Sequence, residues 1–230
     1  MFDLLPQDAR ATLDWSWDRF EPYYTELAKR PLTPDNVEAF LSDWTRVAEL
    51  VDETHSRLYV ATTQNTADKE AETRFHRYLD EIFPNAKQAE QQLKTKLLEQ
   101  QHVPDGFEIP LRKMRTQAEL FREENLPLLT DEEKLCNEYD KIIGGQTVEW
   151  EGREVTIPQL RPVFQQLDRG MREKAWRLAL QRQLQDWESI GDLWKDFLGL
   201  RGRIAANANF ADYRSFRWKD MLRFDYTPDD

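Results

Sequence analysis

The clearest structural signal in the sequence is the stretch at residues 33–58, TPDNVEAFLSDWTRVAELVDETHSRL. Thr33 followed by Pro34 is typical of a helix start, with threonine as the N-cap and proline at the first helical position. Apolar residues then recur at helical spacing, at Val37, Phe40, Leu41, Trp44, Val47, Val51 and Leu58. They predict an amphipathic helix of about six turns with one face directed toward a core.

Helical periodicity continues on the C-terminal side of this stretch. Residues 75–83 and 86–98 each carry one apolar stripe, and Pro84 predicts a break or kink where the first segment ends. The stripe residues are Phe75, Tyr78, Leu79, Ile82 and Phe83 in the first segment, and Ala86, Ala89, Leu93, Leu97 and Leu98 in the second. Together with the first helix, these segments predict a long antiparallel helical arrangement.

Turn residues interrupt the middle of the chain. Residues 102–110, HVPDGFEIP, contain two prolines and one glycine and predict a loop. We expect the next helix over residues 111–125, stopped by Pro127. Residues 130–133, TDEE, have the pattern of a capping box and predict another helix, which ends at the two glycines that follow Ile143.

The period changes at residues 148–157, VEWEGREVTI, where apolar and polar residues alternate around a Glu-Gly pair. Alternation about a two-residue turn predicts a β-hairpin, which Pro158 closes. From Leu160 to about Asn207 the helical period returns. We therefore predict a mainly α fold for residues 1–230, a single helical unit with one hairpin insert.

Composition limits the functional classes to which this chain can belong. Its 230 residues include 43 acidic and 32 basic side chains, which gives a formal net charge of −11. This acidic balance argues against a nucleic-acid partner, because such binding depends on Lys and Arg at phosphates. The 8 Trp, 12 Phe and 7 Tyr supply enough large side chains for a core, which argues against disorder.

The cysteine content and the N-terminus indicate the cellular location. Cys136 is the single cysteine, so no intramolecular disulfide can form, as expected in a reducing compartment. Its place in a helical stretch without an activating base favours burial over use as a nucleophile. The first residues lack the features of a signal peptide, and no apolar run approaches the length of a membrane span. We expect a cytoplasmic protein that does not bind membranes.

Residue types that hold metals or act as nucleophiles form no recognisable motif. His55, His76 and His102 include no pair three or four residues apart, and neither H-E-x-x-H nor Cys-x-x-Cys occurs. Glu72, His76 and Asp80 share a helix face. This face is either a partial metal or acid/base site or, as we favour, a solvated face with local ion pairs. We therefore predict no catalytic, cofactor-binding or metal-binding residue in this chain.

The late helical region is rich in arginine and in aromatic residues. The arginines are Arg161, Arg169, Arg172, Arg177 and Arg182, and the acidic residues among them are Asp168, Glu173 and Asp186. This mixed run predicts a salt-bridged helix surface. The aromatic residues exceed what one helix face can bury, so we expect uncovered apolar surface from Trp187, Trp194, Phe197, Phe210, Phe216, Trp218 and Phe224.

Seven short motifs follow one another along the chain. They are LKTKLL at 93–98, LRKMR at 111–115, LFREENLPL at 120–128, RGMREKAW at 169–176, LRGRIA at 200–205, NFADYR at 209–214 and RFDYTP at 223–228. In order and spacing they resemble the oligoendopeptidase F branch of the thimet oligopeptidase-like zinc metallopeptidases. Asn209 stands where that family usually has glycine. The resemblance covers nearly the whole chain.

The resemblance implies a largely helical peptidase with a deep cleft between two halves. In such enzymes H-E-x-x-H and a downstream glutamate hold one zinc ion, and a narrow channel limits substrates to short peptides. In the family, those residues lie after the region matched here. The resemblance therefore implies that this chain is an N-terminal portion that binds no zinc itself. Its partners would be short peptides and the C-terminal catalytic half. Thr227 and Pro228 have the pattern of a helix start, and we expect the natural chain to continue.

Three functional hypotheses follow from the sequence. The first is one wall of the channel of a full-length zinc endopeptidase, inactive when alone. The second is a free-standing helical module that binds peptides or a protein partner without hydrolysis, and the third is an unrelated helical scaffold. A reading frame that encodes H-E-x-x-H beyond Asp230 favours the first hypothesis, and an immediate stop codon favours the second.

Overall fold

A computed structural model describes residues 1–100, 104–227 and 229–230 of the chain. Its helices are α1 (Trp17–Lys29), α2 (Val37–Gln64), α3 (Lys69–Glu81), α4 (Phe83–Leu98), α5 (Glu108–Leu120), α6 (Leu126–Gly144), α7 (Arg169–Leu184), α8 (Trp187–Asn207) and α9 (Tyr213–Asp220). Short 3₁₀ turns lie at Phe2–Leu4, Ala9–Thr12, Glu123–Asn125, Ile157–Leu160 and Val163–Gln165. The prediction of a mainly α fold is confirmed. None of the helices in the described part of the chain combines the length and apolar character needed to cross a membrane.

Helices α1 to α5 enclose the largest core. The longest of them, α2, has 28 residues and packs against α1, α3 and α6, while α4 packs against α1, α3 and α5. The apolar stripe of α2 faces this core as predicted, and Phe40 and Val47 have no solvent exposure. The predicted break near Pro84 is also confirmed, because α3 ends before it and the proline lies in the first turn of α4.

Helix α2 begins later than the sequence predicted. Thr33 and Pro34 lie in a turn instead of the first helical turn. The Asn36 side chain accepts a hydrogen bond from the Thr33 amide (2.8 Å) and donates one to the Pro31 carbonyl (2.8 Å). These two bonds hold the chain in the turn, so the helix starts only at Val37.

Two predicted boundaries in the middle of the chain are wrong. Helix α5 begins at Glu108, inside the predicted loop, because Pro110 in its first turn gives up no intrahelical hydrogen bond. Pro127 begins α6 instead of stopping a helix, since α5 has already ended at Leu120. The same rule explains both errors, because proline is accepted at helix starts. His102, part of the predicted loop, lies outside the described residues.

The predicted capping box at residues 130–133 is wrong as well, because this segment lies inside α6. The Thr130 side chain is buried and donates a hydrogen bond to the Leu79 carbonyl of α3 (3.1 Å). The sequence around a threonine looks the same whether its hydroxyl caps its own helix or bonds to a different helix. The C-terminal end of α6 is as predicted, with Gly144 as the last residue and Gly145 as the cap.

Helix α6 links the first core to a second one, which it forms with the end of α5, with α8 and with α9. The buried apolar residues of the second core are Leu120, Leu128, Leu200, Ile204, Ala205, Ala208 and Phe216. Directly after α8, Asn209 has a φ of 64°, the left-handed conformation that glycine and asparagine adopt most readily. This conformation explains why asparagine can replace the glycine usual at this place in the resembling family.

The predicted hairpin is confirmed and forms a third core with α7. Strands β1 (Thr147–Trp150) and β2 (Arg153–Thr156) pair antiparallel. Glu151 and Gly152 both have positive φ values, 51° and 75°, as a two-residue hairpin turn requires. The side chains of Val148 and Trp150 are buried in a cluster with residues of α7.

The region predicted as helical from Leu160 to Asn207 is not continuous. Residues 157–165 form 3₁₀ turns, and α7 starts only at Arg169. Asp168 caps α7, because its side chain accepts hydrogen bonds from the amides of the second and third helical residues (2.7 and 3.2 Å). A second break separates α7 from α8.

Candidate functional site: a charged cavity between helices

A cavity of about 610 Å³ lies where the first and second cores meet. Residues of α4, the C-terminal end of α5, α6, α8 and α9 surround it. Its lining combines apolar side chains with charged residues from four of these helices and from the α5–α6 connection. A concave site with an apolar floor and a few converging polar groups is the usual form of a ligand-binding site.

Helix α4 contributes one polar row to the cavity. Lys87, Gln91 and Lys94 are spaced by four and three residues, so they lie on one face of the helix. The Lys87 ammonium lies 5.3 Å from the centroid of the Phe83 ring. Burial lowers the pKa of Lys94, and the neighbouring Glu90 carboxylate offsets part of this effect. This wall therefore presents two cations, one of them in a poorly solvated position.

The opposite wall is built around Arg201 of α8. Its guanidinium binds the Glu132 carboxylate of α6 (2.7 Å). The same guanidinium lies 4.5 Å from the Phe197 ring centroid and 5.3 Å from that of Tyr213. A planar cation between two rings and a carboxylate is held in one orientation. Arg201 therefore fixes α6, α8 and α9 relative to one another.

Glu133 of α6 also lines the cavity and faces a histidine of α2. The His55 Nε2 atom lies 3.8 Å from the Glu133 carboxylate, and this nitrogen is buried without a hydrogen-bond partner. Burial raises the pKa of Glu133 and lowers that of His55, so each group is shifted toward its neutral form. Phe75 and Tyr78 surround the imidazole, with centroids 5.5 and 5.6 Å away.

The connection between α5 and α6 forms the rim of the cavity. The Arg122 guanidinium donates hydrogen bonds to the carbonyls of Phe121 (2.6 Å) and Asn207 (3.2 Å). The Asn125 side chain donates to the Ile204 carbonyl (3.0 Å) and accepts from the Asn207 side chain (2.8 Å). These bonds fix the connection to the end of α8, because the terminal carbonyls of a helix have no partners inside it.

Glu72 and Asp80, which share a face of α3 with His76, are each paired with a lysine of another helix. Glu72 binds Lys141 (2.7 Å) and Asp80 binds Lys134 (2.5 Å), both from α6. The Nε2 atom of His76 is buried without a hydrogen-bond partner. Glu72 also pairs with Lys69 of its own helix (3.0 Å), so the favoured local ion pair is present, but the face is packed against α6 and only partly solvated.

The arginine-rich run is salt-bridged in part. Arg177 pairs with Glu173 (2.8 Å), and Arg182 pairs with Asp186 (2.6 Å), each at a spacing of four residues. Arg172 instead donates hydrogen bonds to the carbonyls of residues 166 and 167, ahead of α7. None of these side chains lines the cavity.

Comparison with known proteins identifies the fold. No family model and no curated protein matches the sequence. Among solved structures, a protein described as an oligoendopeptidase F from Bacillus anthracis matches with a TM-score of 0.83 at 14% identity, over 94% of this chain and 41% of that one. The chain has the oligoendopeptidase F fold. PZ peptidase A with an inhibitor matches with a TM-score of 0.78 at 18% identity, over 100% of this chain and 41% of that one. A further protein described as an oligoendopeptidase F gives 0.77 at 19%, over 99% and 40%.

The resemblance to oligoendopeptidase F inferred from short motifs is thus confirmed at the level of the fold. The chain spans about two-fifths of the length of each of these structures. Each match covers 94% or more of this chain.

Within the oligoendopeptidase F fold, α7 and α8 each carry a row of exposed apolar side chains. The exposed side chains are Trp176 (55%), Leu180 (37%), Leu184 (57%), Trp187 (67%), Trp194 (49%) and Leu198 (67%). The expectation of uncovered aromatic residues is confirmed for Trp187 and Trp194 but wrong for Phe197 and Phe216, which are buried. Phe210, Trp218 and Phe224 are half-buried. Exposed apolar surface of this kind marks an interaction site in soluble proteins.

The lining of the cavity was missed by sequence reasoning. Lys87, Gln91 and Lys94 form a polar row that a helical-wheel reading of α4 places beside its apolar stripe, where partly solvated residues are normal. Glu133 belonged to the mistaken capping box. The local sequence of α4 shows the polar row, but it does not show which helices face that row, because α8 and α9 follow α4 by about a hundred residues.

Proposed function

We propose that this chain is the N-terminal portion of a zinc-dependent oligoendopeptidase that hydrolyses short peptides. The observation that carries the proposal is the match of 94% or more of the chain to about two-fifths of each of the three structures. The remaining part of such a peptidase, its C-terminal catalytic half, is the partner of this segment. We also propose a cytoplasmic location, because Cys136 is the single cysteine.

The described residues do not fit a zinc site of their own. Among residues 1–100, 104–227 and 229–230, no group of three His, Cys, Asp or Glu side chains could hold a metal ion. Burial and the nearby carboxylates, first Glu133, raise the pKa of Cys136 to about 11, whereas zinc binds the thiolate. We therefore assign no step of peptide hydrolysis to this chain, whose part in the reaction is to bind and position the substrate.

We place the cavity in one wall of the peptide channel. It offers apolar surface next to polar groups, as a peptide with mixed side chains requires. One of its walls is also held in place, since Arg201 joins α8 to α6 and Asn125 joins the α5–α6 connection to α8. A rigid wall holds a bound peptide in one position and limits the entropy lost in the later chemical step.

The exposed face of α7 and α8 supports the presence of a second half. Trp187, Trp194 and Leu198 would be covered by the catalytic half, which would remove their apolar surface from water. Covering such surface stabilises the chain by an amount that rises with the logarithm of the partner concentration. The isolated chain is therefore expected to bind a hydrophobic dye or to self-associate.

The first test is enzymatic. The reading frame that continues beyond the codon for Asp230 is expressed, its zinc content is determined after dialysis, and hydrolysis of a quenched short peptide is followed with and without a chelator. We expect an H-E-x-x-H motif, one zinc ion per chain, and hydrolysis that the chelator abolishes. A stop codon directly after Asp230, together with an inactive protein, would mean that the chain is a binding module without hydrolytic activity.

A second test addresses the interface between the halves. Thermal melting of the 230-residue chain is measured alone and with the separately expressed C-terminal half. We expect a rise in melting temperature that grows with partner concentration and that is reduced by Leu198→Lys. Glu188→Lys, an exposed change in the first turn of the same helix, serves as the matched control. A monomeric chain that binds no dye and gains no stability from the partner is a self-sufficient domain.

A further inference from the structure

The cavity has a positive charge balance inside an acidic chain. Five basic and three acidic residues are among its described lining residues, although the whole chain has a net charge of −11. Two of the basic residues are neutralised locally, because Arg201 binds Glu132 and Arg217 binds Asp220. The excess of positive charge must therefore come from the remaining basic residues.

Two of those remaining cations lie on α4. Within the described part of the chain, neither Lys87 nor Lys94 has a carboxylate oxygen within ion-pair distance. The carboxylate nearest in sequence, Glu90, is occupied, since it accepts hydrogen bonds from Trp44 Nε1 (2.8 Å) and Tyr24 OH (3.0 Å). The third cation, Arg122, already binds backbone carbonyls at the rim. The row on α4 therefore carries the cations of the cavity that are available to bind an anion.

The geometry of the row suits a single carboxylate. Lys87 and Lys94 are seven residues apart, about 10 Å along the helix axis, and Gln91 lies between them. Flexible lysine side chains can converge from both ends. The Gln91 amide nitrogen donates one hydrogen to the Thr95 hydroxyl (3.3 Å) and has a second one to donate from the middle. Glu133 across the cavity forms its ion-pair contact with His55 Nε2 (3.8 Å) and not with either lysine, although its carboxylate lies close enough to Lys87 for the two charges to attract.

Apolar side chains line part of the cavity beside the charged wall at Arg201. Leu120, Ile204 and Phe216 are buried residues of the second core, and parts of them line the cavity together with Leu129. A ligand that fits must therefore carry an apolar group close to its carboxylate. The C-terminal residue of a peptide with an apolar side chain has this arrangement, with the two groups on one carbon atom.

We propose that Lys87, Gln91 and Lys94 bind the free C-terminal carboxylate of a short peptide, whose last side chain packs on the apolar floor of the cavity. The inference rests on the proposed function, since it assigns a peptide end to the site described above. It makes the chain selective for free peptide ends, because an internal peptide bond offers no anion to the row. Binding also adds a counter-charge near Lys94, whose pKa burial lowers and Glu90 only partly restores.

The test compares two ligands that differ only at the C-terminus. Acetyl-Ala-Ala-Phe with a free carboxylate and the same peptide as the C-terminal amide are titrated calorimetrically into the 230-residue chain. We expect the acid to bind at least about tenfold more tightly than the amide, as a charge-assisted contact requires. We also expect the preference to fall as salt concentration rises.

Variants locate the contact. Lys87→Gln and Lys94→Gln are each expected to remove most of the preference for the acid and to leave binding of the amide unchanged. Lys94→Arg retains the charge and is expected to keep the preference. Lys113→Gln, an exposed lysine of α5 outside the cavity, is the matched control. Circular dichroism and thermal melting establish that each variant is folded before its titration is compared.

Several outcomes would overturn the inference. They are equal affinity for acid and amide, no binding of either peptide, and lysine variants that behave like the Lys113 control. Inorganic phosphate that binds as tightly as the acid would reduce the row to an unspecific anion site. The proposed function is tested separately, because zinc-dependent hydrolysis by the longer protein can occur with or without selectivity for the acid. Selective binding by a protein that proves inactive would leave a peptide-binding module.

Discussion

Glu90 is a single side chain whose loss should weaken the packing of three helices. Its carboxylate accepts hydrogen bonds from Trp44 of α2 (2.8 Å) and from Tyr24 of α1 (3.0 Å), while Glu90 itself belongs to α4. Trp44 and Tyr24 are only 5% and 3% exposed, so their polar atoms have little access to water as a substitute. Glu90→Ala therefore leaves two buried donors without an acceptor.

The expected cost follows from these contacts. A hydrogen bond to a charged acceptor contributes about 1.5–3 kcal/mol, so two of them amount to about 3–6 kcal/mol. Removing a buried carboxylate recovers part of this, and we expect Glu90→Ala to lower the free energy of unfolding by about 3 kcal/mol. In a chain of this length that corresponds to a decrease of about 6–12 °C in melting temperature. Glu90→Gln keeps an acceptor oxygen and should cost at most about 1 kcal/mol.

The pH dependence gives a second measurement. Burial raises the pKa of Glu90 above its ordinary value of 4.5, so folding favours the protonated form. Its contribution to stability is therefore complete below pH 4.5 and is lost as the pH rises through the raised pKa. Glutamine does not titrate. The melting temperature of Glu90→Gln relative to the unmodified chain should accordingly increase between about pH 4 and about pH 7.

The assay is thermal melting followed by circular dichroism, with chemical denaturation for the free energies. Gln92→Ala, an exposed change on the same helix, is the matched control and should stay within about 0.5 kcal/mol. Equal losses for the alanine and glutamine variants would falsify the hydrogen-bond argument. If the melting temperature of Glu90→Gln relative to the unmodified chain instead decreases as the pH rises, burial does not raise the pKa of Glu90.

Three further changes test other parts of the structure by melting or by chemical labelling. Gly152→Ala should lower the free energy of unfolding by about 1 kcal/mol, because the φ of Gly152 is 75°. Gly199→Ala should raise it by about 0.5–1 kcal/mol, because Gly199 lies within α8 with open space around it. Changes of the same sign in both variants would contradict this reasoning. Cys136, with a pKa of about 11, should react with iodoacetamide at about pH 8 on the order of a hundredfold more slowly in the folded chain than after unfolding. Equal labelling rates would show a freely accessible thiolate. Thr130→Val should lower the free energy of unfolding by about 1 kcal/mol, because it removes the hydrogen bond to the Leu79 carbonyl near the end of α3. An unchanged melting temperature would show that this bond contributes nothing.

Local chemistry was enough to predict most of the helices and the hairpin. The apolar stripe of α2 and the Glu-Gly pair at residues 151–152 act within a few residues, so their patterns lie in adjacent sequence. Proline was the main source of error, since Pro110 and Pro127 lie in the first turns of helices and the sequence suggested breaks. A proline has the same appearance in sequence whether it begins a helix or ends one.

The sequence by itself determined a mainly helical chain, its hairpin, its acidic charge and its likeness to the oligoendopeptidases F. Only the tertiary structure decided which polar side chains meet. Glu90 meets Tyr24 and Trp44 across 66 and 46 residues, and Arg201 meets Glu132 across 69. Periodicity reports which face of a helix is buried but not which helix covers it. The cavity and its row of lysines exist because α8 and α9 fold back onto α4 and α6, and that arrangement depends on packing between distant segments.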